Sequence, residues 1–310
     1  MTVYLITGGA GFIGSNLAAE LISRGEQVRV LDNFATGQRP NLAALRDKIE
    51  IIEGDIRSYH IVREAVTGVD FVLHQAALPS VPRSVRDPIT TNEVNVLGTL
   101  NMLQAAKDAG VKRLVYASSS SVYGDNPELP KREIMCPRPL SPYAISKLAG
   151  EQYCQTFWRL YGFETVCLRY FNVFGPRQDP TSQYAAVIPR FITALLNQTP
   201  LTIFGDGQQS RDFTFIANVI QANLLACTAP AAAGGIFNVA CGQRYTLLDL
   251  VAKLVTVIGR EPQIIYEPAR SGDVPHSQAD ITQAESILSY KPLVDLQEGL
   301  ERTVDWFKTK

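Results

Sequence analysis

Apolar positions in the first half of the chain alternate between two patterns. Residues 3–7, 27–31, 49–52, 69–74, 113–117 and 165–169 form short β-branched or apolar runs of strand length. Between them, residues 12–24 place Ile13, Leu17, Leu21 and Ile22 at helical spacing. Residues 92–109 read as a helix closed by Gly110, and 142–160 as a second long helix, with Pro142 at its start and Gly162 beyond its end. The runs VDFVLH and RLVYA are apolar at both parities, as strands covered on both faces should be. Strands alternating with helices predict parallel pairing through right-handed crossovers. The predicted fold class is therefore α/β, a doubly wound parallel sheet of the Rossmann kind.

After about residue 172 the texture changes. Pro176, Pro180, Pro189 and Pro200 punctuate the chain. Helical stretches at 187–197, 217–227, 246–258 and 296–308 alternate with short strands near 201–204, 236–239 and 263–266. This predicts a smaller C-terminal α/β unit, 173–310, beside a first unit, 1–172, with a boundary that can interleave. The alanine and glycine stretch at 229–235 reads as a surface loop.

Composition narrows the classes of function. Lys and Arg total 29 against 30 Asp and Glu, a net charge of -1, so no basic excess points to nucleic acid. Five cysteines, Cys136, Cys154, Cys167, Cys227 and Cys241, form no CxxC pair and read as reduced, buried or half-buried thiols. His60, His74 and His276 lie in no metal-binding spacing, so no metal is expected. No run approaches the length of a membrane span, and the first residues lack the basic segment of a secretory signal. The expectation is a cytoplasmic protein with no membrane or nucleic-acid partner.

Two motifs carry chemistry. Thr7-Gly8-Gly9-Ala10-Gly11-Phe12-Ile13-Gly14 follows a strand and opens a helix, and holds GxGxxG at Gly9, Gly11 and Gly14. Glycines permit the tight turn and the close approach of backbone to a pyrophosphate, and the helix start offers free N–H groups to the anion. Asp32 ends the second strand, eighteen residues after Gly14. A carboxylate there accepts from a ribose diol and repels a 2′-phosphate, which favours NAD over NADP. Further on, Tyr143 and Lys147 stand four apart on one helix face. A nearby ammonium favours the phenolate and makes a tyrosine a base. YxxxK alone is common on amphipathic helices. Here it follows the serine run 118–121 at a strand's carboxyl end, where open α/β sheets bind ligands.

TGGAGFIGS, Asp32-Asn33, Gly54-Asp55-Ile56, the His74 to Ala77 segment, Asn95 in NVLGTLN, SSSVYG, YAISK, RYFNVFGP and RDF together resemble the extended short-chain dehydrogenase/reductases. More narrowly, the chain resembles the NAD-dependent nucleotide-sugar 4-epimerases, over essentially its whole length. The resemblance implies that Gly8, Gly11, Phe12, Ile13 and Gly14 cradle the pyrophosphate. It gives Asp32 and Asn33 to the adenine ribose side, Asp55 and Ile56 to the adenine, and Ala76 and Asn95 to the cofactor groove. Tyr143 and Lys147 then reach the nicotinamide ribose, and Ser119, Tyr143 and Lys147 are the catalytic set. On the substrate side it implies Ser80, Ser119, Ser120, Asn172 and Val187, with Phe204 against uracil and Arg211 and Arg270 on the UDP diphosphate. Asp273 and Ser277 follow in the RSGD segment.

The implied activity is C4 epimerisation of a UDP-sugar. Tyr143 takes the proton of the 4-hydroxyl, the C4 hydride passes to NAD, and the 4-keto sugar turns over before the hydride returns. Ser277 falls where the family gates its sugar pocket, and a small residue there admits an N-acetylhexosamine. Pro79, where a glycine is expected, narrows the same wall. The expected substrates are therefore UDP-GlcNAc and UDP-GalNAc, with UDP-Glc and UDP-Gal tolerated. A 4,6-dehydratase is disfavoured because Ser120 and Ser121 replace its Asp-Glu pair, and a glucuronate 4-epimerase because Asn172 replaces its Thr. A non-catalytic NAD-binding sensor of the same fold remains the alternative of another class. The two long helices match those that pair across a two-fold axis in the family, which implies a homodimer.

Overall fold

The computed structural model describes residues 1–180, 186–268 and 274–309. Six strands of the first half are β1 (Val3–Thr7), β2 (Gln27–Asp32), β3 (Glu50–Glu53), β4 (Phe71–His74), β5 (Arg113–Ser119) and β6 (Glu164–Tyr170). With the strand Ile236–Val239 they form one seven-stranded sheet in the order Ile236–Val239, β6, β5, β4, β1, β2, β3. Every pairing is parallel. The apolar runs work at both parities. Leu5, Leu31, Val72 and Leu114 enter one core, and their neighbours Ile6, Val30, Leu73 and Val115 enter the core on the other face.

The helices are α1 (Phe12–Ser23), α2 (Tyr59–Val66), α3 (Val81–Arg86), α4 (Pro88–Asn92), α5 (Gly98–Asp108), α6 (Pro142–Tyr161), α7 (Val187–Asn197), α8 (Ile216–Thr228), α9 (Leu247–Ile258) and α10 (Leu296–Lys308). The helix read at 92–109 starts earlier. Asp87 caps Pro88 by accepting from Thr90 N at 3.0 Å, and a π-helical turn at Glu93–Leu97 joins α4 to α5. In α6 the cap is Ser141, which accepts from Ala144 N, and Gly162 at φ +65° ends the helix. Gly150 lets α6 lie close on β5, because a Cβ there would stand 2.2 Å from the Tyr116 hydroxyl oxygen.

Three readings are corrected. The strand at 236–239 belongs to the main sheet, where it pairs with β6 from Ile236 opposite Cys167 to Val239 opposite Tyr170. Phe237 and Val239 are buried there. Among the described residues, the remaining C-terminal pairings are short: Leu201–Phe204 with Ile264–Glu267, Ser210–Arg211 with Tyr245–Thr246, and Val173–Phe174 with Thr214–Phe215. The 229–235 stretch is only partly a surface loop. Ala232 is fully buried, and Gly234 lies against Trp158. Cys136 is exposed, while the other four cysteines are buried or half-buried, and all five are free thiols.

Among the described residues, no helix is long and apolar enough to cross a membrane. Nor does any group of three or more His, Cys, Asp or Glu among them have the arrangement to hold a metal ion.

Candidate active site

The strand order reverses between β1 and β4, so the crevice for a ligand opens at their carboxyl ends. The glycine loop fills one side of it. Gly8 has φ +66°, and a Cβ on it would stand 2.9 Å from the backbone of Ala76, just past β4. A Cβ on Gly14 would stand 2.3 Å from the Gly8 carbonyl oxygen. Gly11 opens α1 without a side-chain cap. Phe12 and Ile13 therefore present first-turn N–H groups that have no carbonyl one turn back. A loop stripped of side chains before an uncapped helix start fits the pyrophosphate of a dinucleotide.

Asp32 closes the cradle. Its carboxylate accepts from Ala10 N and Phe34 N, each at 2.8 Å. Burial raises its pKa, and the two backbone donors pull it back. Each oxygen keeps a second lone pair for a ribose hydroxyl. Asn33 donates to Asp55, whose carboxylate Arg57 also grips through its backbone and guanidinium. The Arg57 contacts hold Asp55 down at about 2. Ile56 is buried under Gly98 of α5. Asn95 spends its amide on Leu78 N, Leu78 O and the Ser146 hydroxyl, so it positions the segment after β4.

A polar chain that links three of the motifs ties that segment together. Ala76 N donates to the Thr7 hydroxyl at 3.1 Å, and Thr7 Oγ1 lies 2.7 Å from His74 Nδ1. His74 Nε2 lies 3.1 Å from Thr99 Oγ1, and Thr99 donates to the Asn95 carbonyl. The donor sense of Thr99 makes His74 the Nε2–H tautomer, with Nδ1 accepting from Thr7. Burial, then the Lys147 charge, pushes His74 down to about 3. The motifs contain these residues, but not their bonding, because the partners come from β1, β4 and α5.

At the end of β5, the Ser119 side chain lies close enough to Tyr143 to act on its phenol. Burial raises the Tyr143 phenol, and Ser119 opposes this. Lys147 is buried, donates to the Ala117 carbonyl at 2.8 Å and stands 6.0 Å from the centre of the Tyr143 ring. Burial lowers it to about 8, with Cys154 and Glu151 opposing. Ser119 thus acts on the phenol, and Lys147 also grips the strand. Ser120 begins the turn Ser120–Tyr123 beside them.

The residues expected on the substrate side follow from the neighbouring strand. Ser119 pairs with Tyr170 across β5 and β6, and Asn172 follows two residues later at φ +34°. Its amide donates to the Asp212 carbonyl at 3.0 Å. Asn172, Val187, Phe204 and Arg211 line one cavity of about 270 Å³. Arg190, Thr202 and Gln209 line it too, and no motif marked them. Arg211 donates to the carbonyls of Ser210 and Pro275. Ser277 is backbone-bonded to Ser210, next to Arg211, and is not among the residues lining that cavity. Ser80 stands apart at φ +93°, where it caps α3. Arg270 and Asp273 lie outside the described residues.

Known proteins extend this picture. The NAD dependent epimerase/dehydratase family matches residues 4–240. A putative UDP-glucose 4-epimerase of Methanocaldococcus jannaschii is 41% identical over 307 residues, 98% of each chain. The structure of a UDP-N-acetylglucosamine 4-epimerase from Methanobrevibacter ruminantium M1, in complex with UDP-N-acetylmuramic acid, superposes with a TM-score of 0.95 at 39% identity. That match covers 99% of this chain and 98% of the other. A UDP-glucuronic acid 4-epimerase from Bacillus cereus, with UDP-glucuronic acid and NAD, gives 0.92 at 33% identity, with 99% of each chain covered. The match runs through the cradle, the β5 end and α6, and so the chain belongs to the NAD dependent epimerase/dehydratase family.

Proposed function

We propose that the protein is an NAD-dependent UDP-sugar 4-epimerase that interconverts UDP-GlcNAc and UDP-GalNAc and also turns over UDP-Glc and UDP-Gal. The observation that carries the reading is the meeting of Ser119 with Tyr143, two strand-end positions from Asn172 and its cavity. The glycine cradle and Asp32 hold NAD, which when bound supplies a reversible hydride acceptor for the sugar C4. Tyr143 takes the proton of the 4-hydroxyl and returns it after the 4-keto sugar has turned over. Burial makes its phenolate a strong base, and Ser119 favours the ionised form. Ser119 also offers a hydrogen bond to the same sugar oxygen as charge develops. Lys147 has further N–H donors beyond the one given to Ala117, and these serve the nicotinamide ribose.

Phe204 takes the uracil, and Arg211 with Arg270 the diphosphate, where a planar guanidinium suits bidentate contact. Holding the nucleotide end leaves the sugar free to present either face. The protein works in the cytoplasm as a homodimer. Val85, Ile89, Leu97 and Ile145 leave large apolar side chains exposed on α3, α4, the π turn and α6, which pack together. A second copy covers them.

The test is incubation with UDP-GlcNAc, UDP-Glc and UDP-glucuronate, with products resolved by NMR at the C4 stereocentre. Conversion of UDP-GlcNAc is expected. Conversion of UDP-glucuronate alone would replace the substrate reading, and conversion of none would overturn the activity.

A further inference from the structure

Four consecutive residues at the end of β5 each meet a residue of α6 between Tyr143 and Glu151. The Tyr116 hydroxyl reaches the Lys147 carbonyl at 3.5 Å and sits against Gly150. The Ala117 carbonyl accepts from Lys147. Ser118 donates its hydroxyl to the Glu151 carboxylate. Ser119 meets Tyr143. Tyr143, Lys147 and Glu151 are spaced four apart, so all three project from one face of α6 toward the strand.

Glu151 is fully buried, and its charge is matched by Arg169 of β6, whose Nε and second terminal nitrogen each reach a different carboxylate oxygen at 2.8 Å. The Tyr123 ring lies 4.7 Å from the guanidinium carbon. An ion pair this deep is a poor device for stability alone, because apolar side chains of the same volume serve as well or better. What it supplies is direction: a bidentate pair fixes the carboxylate plane, and the carboxylate fixes Ser118. Ser118 is the chain neighbour of Ser119, and Glu151 lies two turns along α6 from Tyr143. A slip between strand and helix would separate the two hydroxyls, and displacements of about 1 Å at reacting groups cost up to ~10²-fold in rate.

We propose that Glu151, held by Arg169, is a positioning residue that locks α6 to the end of β5 through Ser118 and so sets the Ser119–Tyr143 geometry. The proposal rests on the reading of Ser119 and Tyr143 as the reacting pair.

The experiment compares wild type, Ser118→Ala, Ser118→Thr and Tyr143→Phe with UDP-GlcNAc and UDP-Glc, measuring kcat, KM and thermal midpoint. Glu151→Gln leaves the Arg169 charge unpaired in the interior and can unfold the chain. Ser118→Ala cuts the same grip and strands no charge. The expected result is a folded Ser118→Ala protein with kcat down about 10- to 100-fold, KM unchanged, and kcat restored in large part by threonine. A folded Ser118→Ala protein with kcat within about two-fold of wild type overturns the proposal, as does a loss confined to KM. Wild-type turnover by Tyr143→Phe would instead show that the reacting pair itself is wrongly identified.

Discussion

Lys147 directs its ammonium to the Ala117 carbonyl, 2.8 Å away, and stands 6.0 Å from the centre of the Tyr143 ring. The pair four apart on α6 is thus an arrangement in which the lysine braces the strand while the tyrosine faces Ser119. Burial raises the phenol and Ser119 opposes that rise, so a phenolate formed there is a strong base. Tyr143 is then the single group whose removal abolishes proton transfer and leaves the brace intact. Tyr143→Phe is expected to keep the fold and to lose at least ~10²-fold in turnover. Steady-state kinetics on the purified variant checks this, and near wild-type turnover would exclude Tyr143 as the base.

The cradle predicts cofactor identity. Asp32 is buried with both carboxylate oxygens already committed to backbone donors, so it cannot swing away from a 2′-phosphate. The protein is expected to purify with NAD(H) and not NADP(H), read by chromatography of the extracted cofactor. Gly14→Ala is expected to lose that cofactor, since its Cβ would meet the Gly8 carbonyl oxygen at 2.3 Å. Full retention in the alanine variant would show that the loop is not the pyrophosphate site.

His74 predicts a pH dependence of stability. Its folded value is about 3, against an ordinary ~6.5. Between those values the unfolded chain binds a proton that the folded chain refuses. Stability therefore falls as pH drops from ~6.5 toward ~3, and the full contribution of neutral His74 is present above ~6.5. His74→Gln is expected to flatten that slope by up to about 1.4 kcal/mol per pH unit. Denaturant titrations from pH 4 to 7 measure it, and equal slopes in both proteins would refute the assignment.

Local patterns made most of the fold legible. The β1 and β5 runs, the GxGxxG turn and the Pro142 and Gly162 boundaries of α6 are each written within a few residues. The strand Ile236–Val239 was visible as a strand, but its partner was not, because β6 lies about seventy residues earlier. The same holds at the site. Tyr143 and Lys147 announce themselves by spacing, whereas Glu151 gains meaning only from Arg169 and Ser118 on two other elements. The chain from Thr7 through His74 to Thr99 is equally long-range.

The exposed apolar side chains predict assembly. Ile89 is 72% exposed, Val85 63% and Ile145 55%, on helices that contact one another. Such a patch on a monomer favours self-association. Light scattering is expected to give twice the chain mass, and Ile89→Glu with Ile145→Glu to shift it toward one chain. A wild-type mass of one chain at working concentration would contradict the homodimer.

The last prediction concerns substrate size. Ser277 bonds its backbone N–H to Ser210 at 3.0 Å, so its place beside Arg211 is fixed by strand-like pairing. On the proposed reading, a hydroxymethyl at that position leaves room that a phenol would fill, while Pro79 narrows the same wall. A steric gate acts unequally. Overfilling a pocket is costly, while leaving it part empty costs little. Ser277→Tyr is therefore expected to lower kcat/KM for UDP-GlcNAc at least ~10-fold more than for UDP-Glc. The backbone pairing survives the substitution, so the fold and the hexose activity serve as internal controls. Equal losses on both substrates would show that residue 277 does not face the sugar, and absence of wild-type activity on UDP-GlcNAc would remove the N-acetyl reading itself.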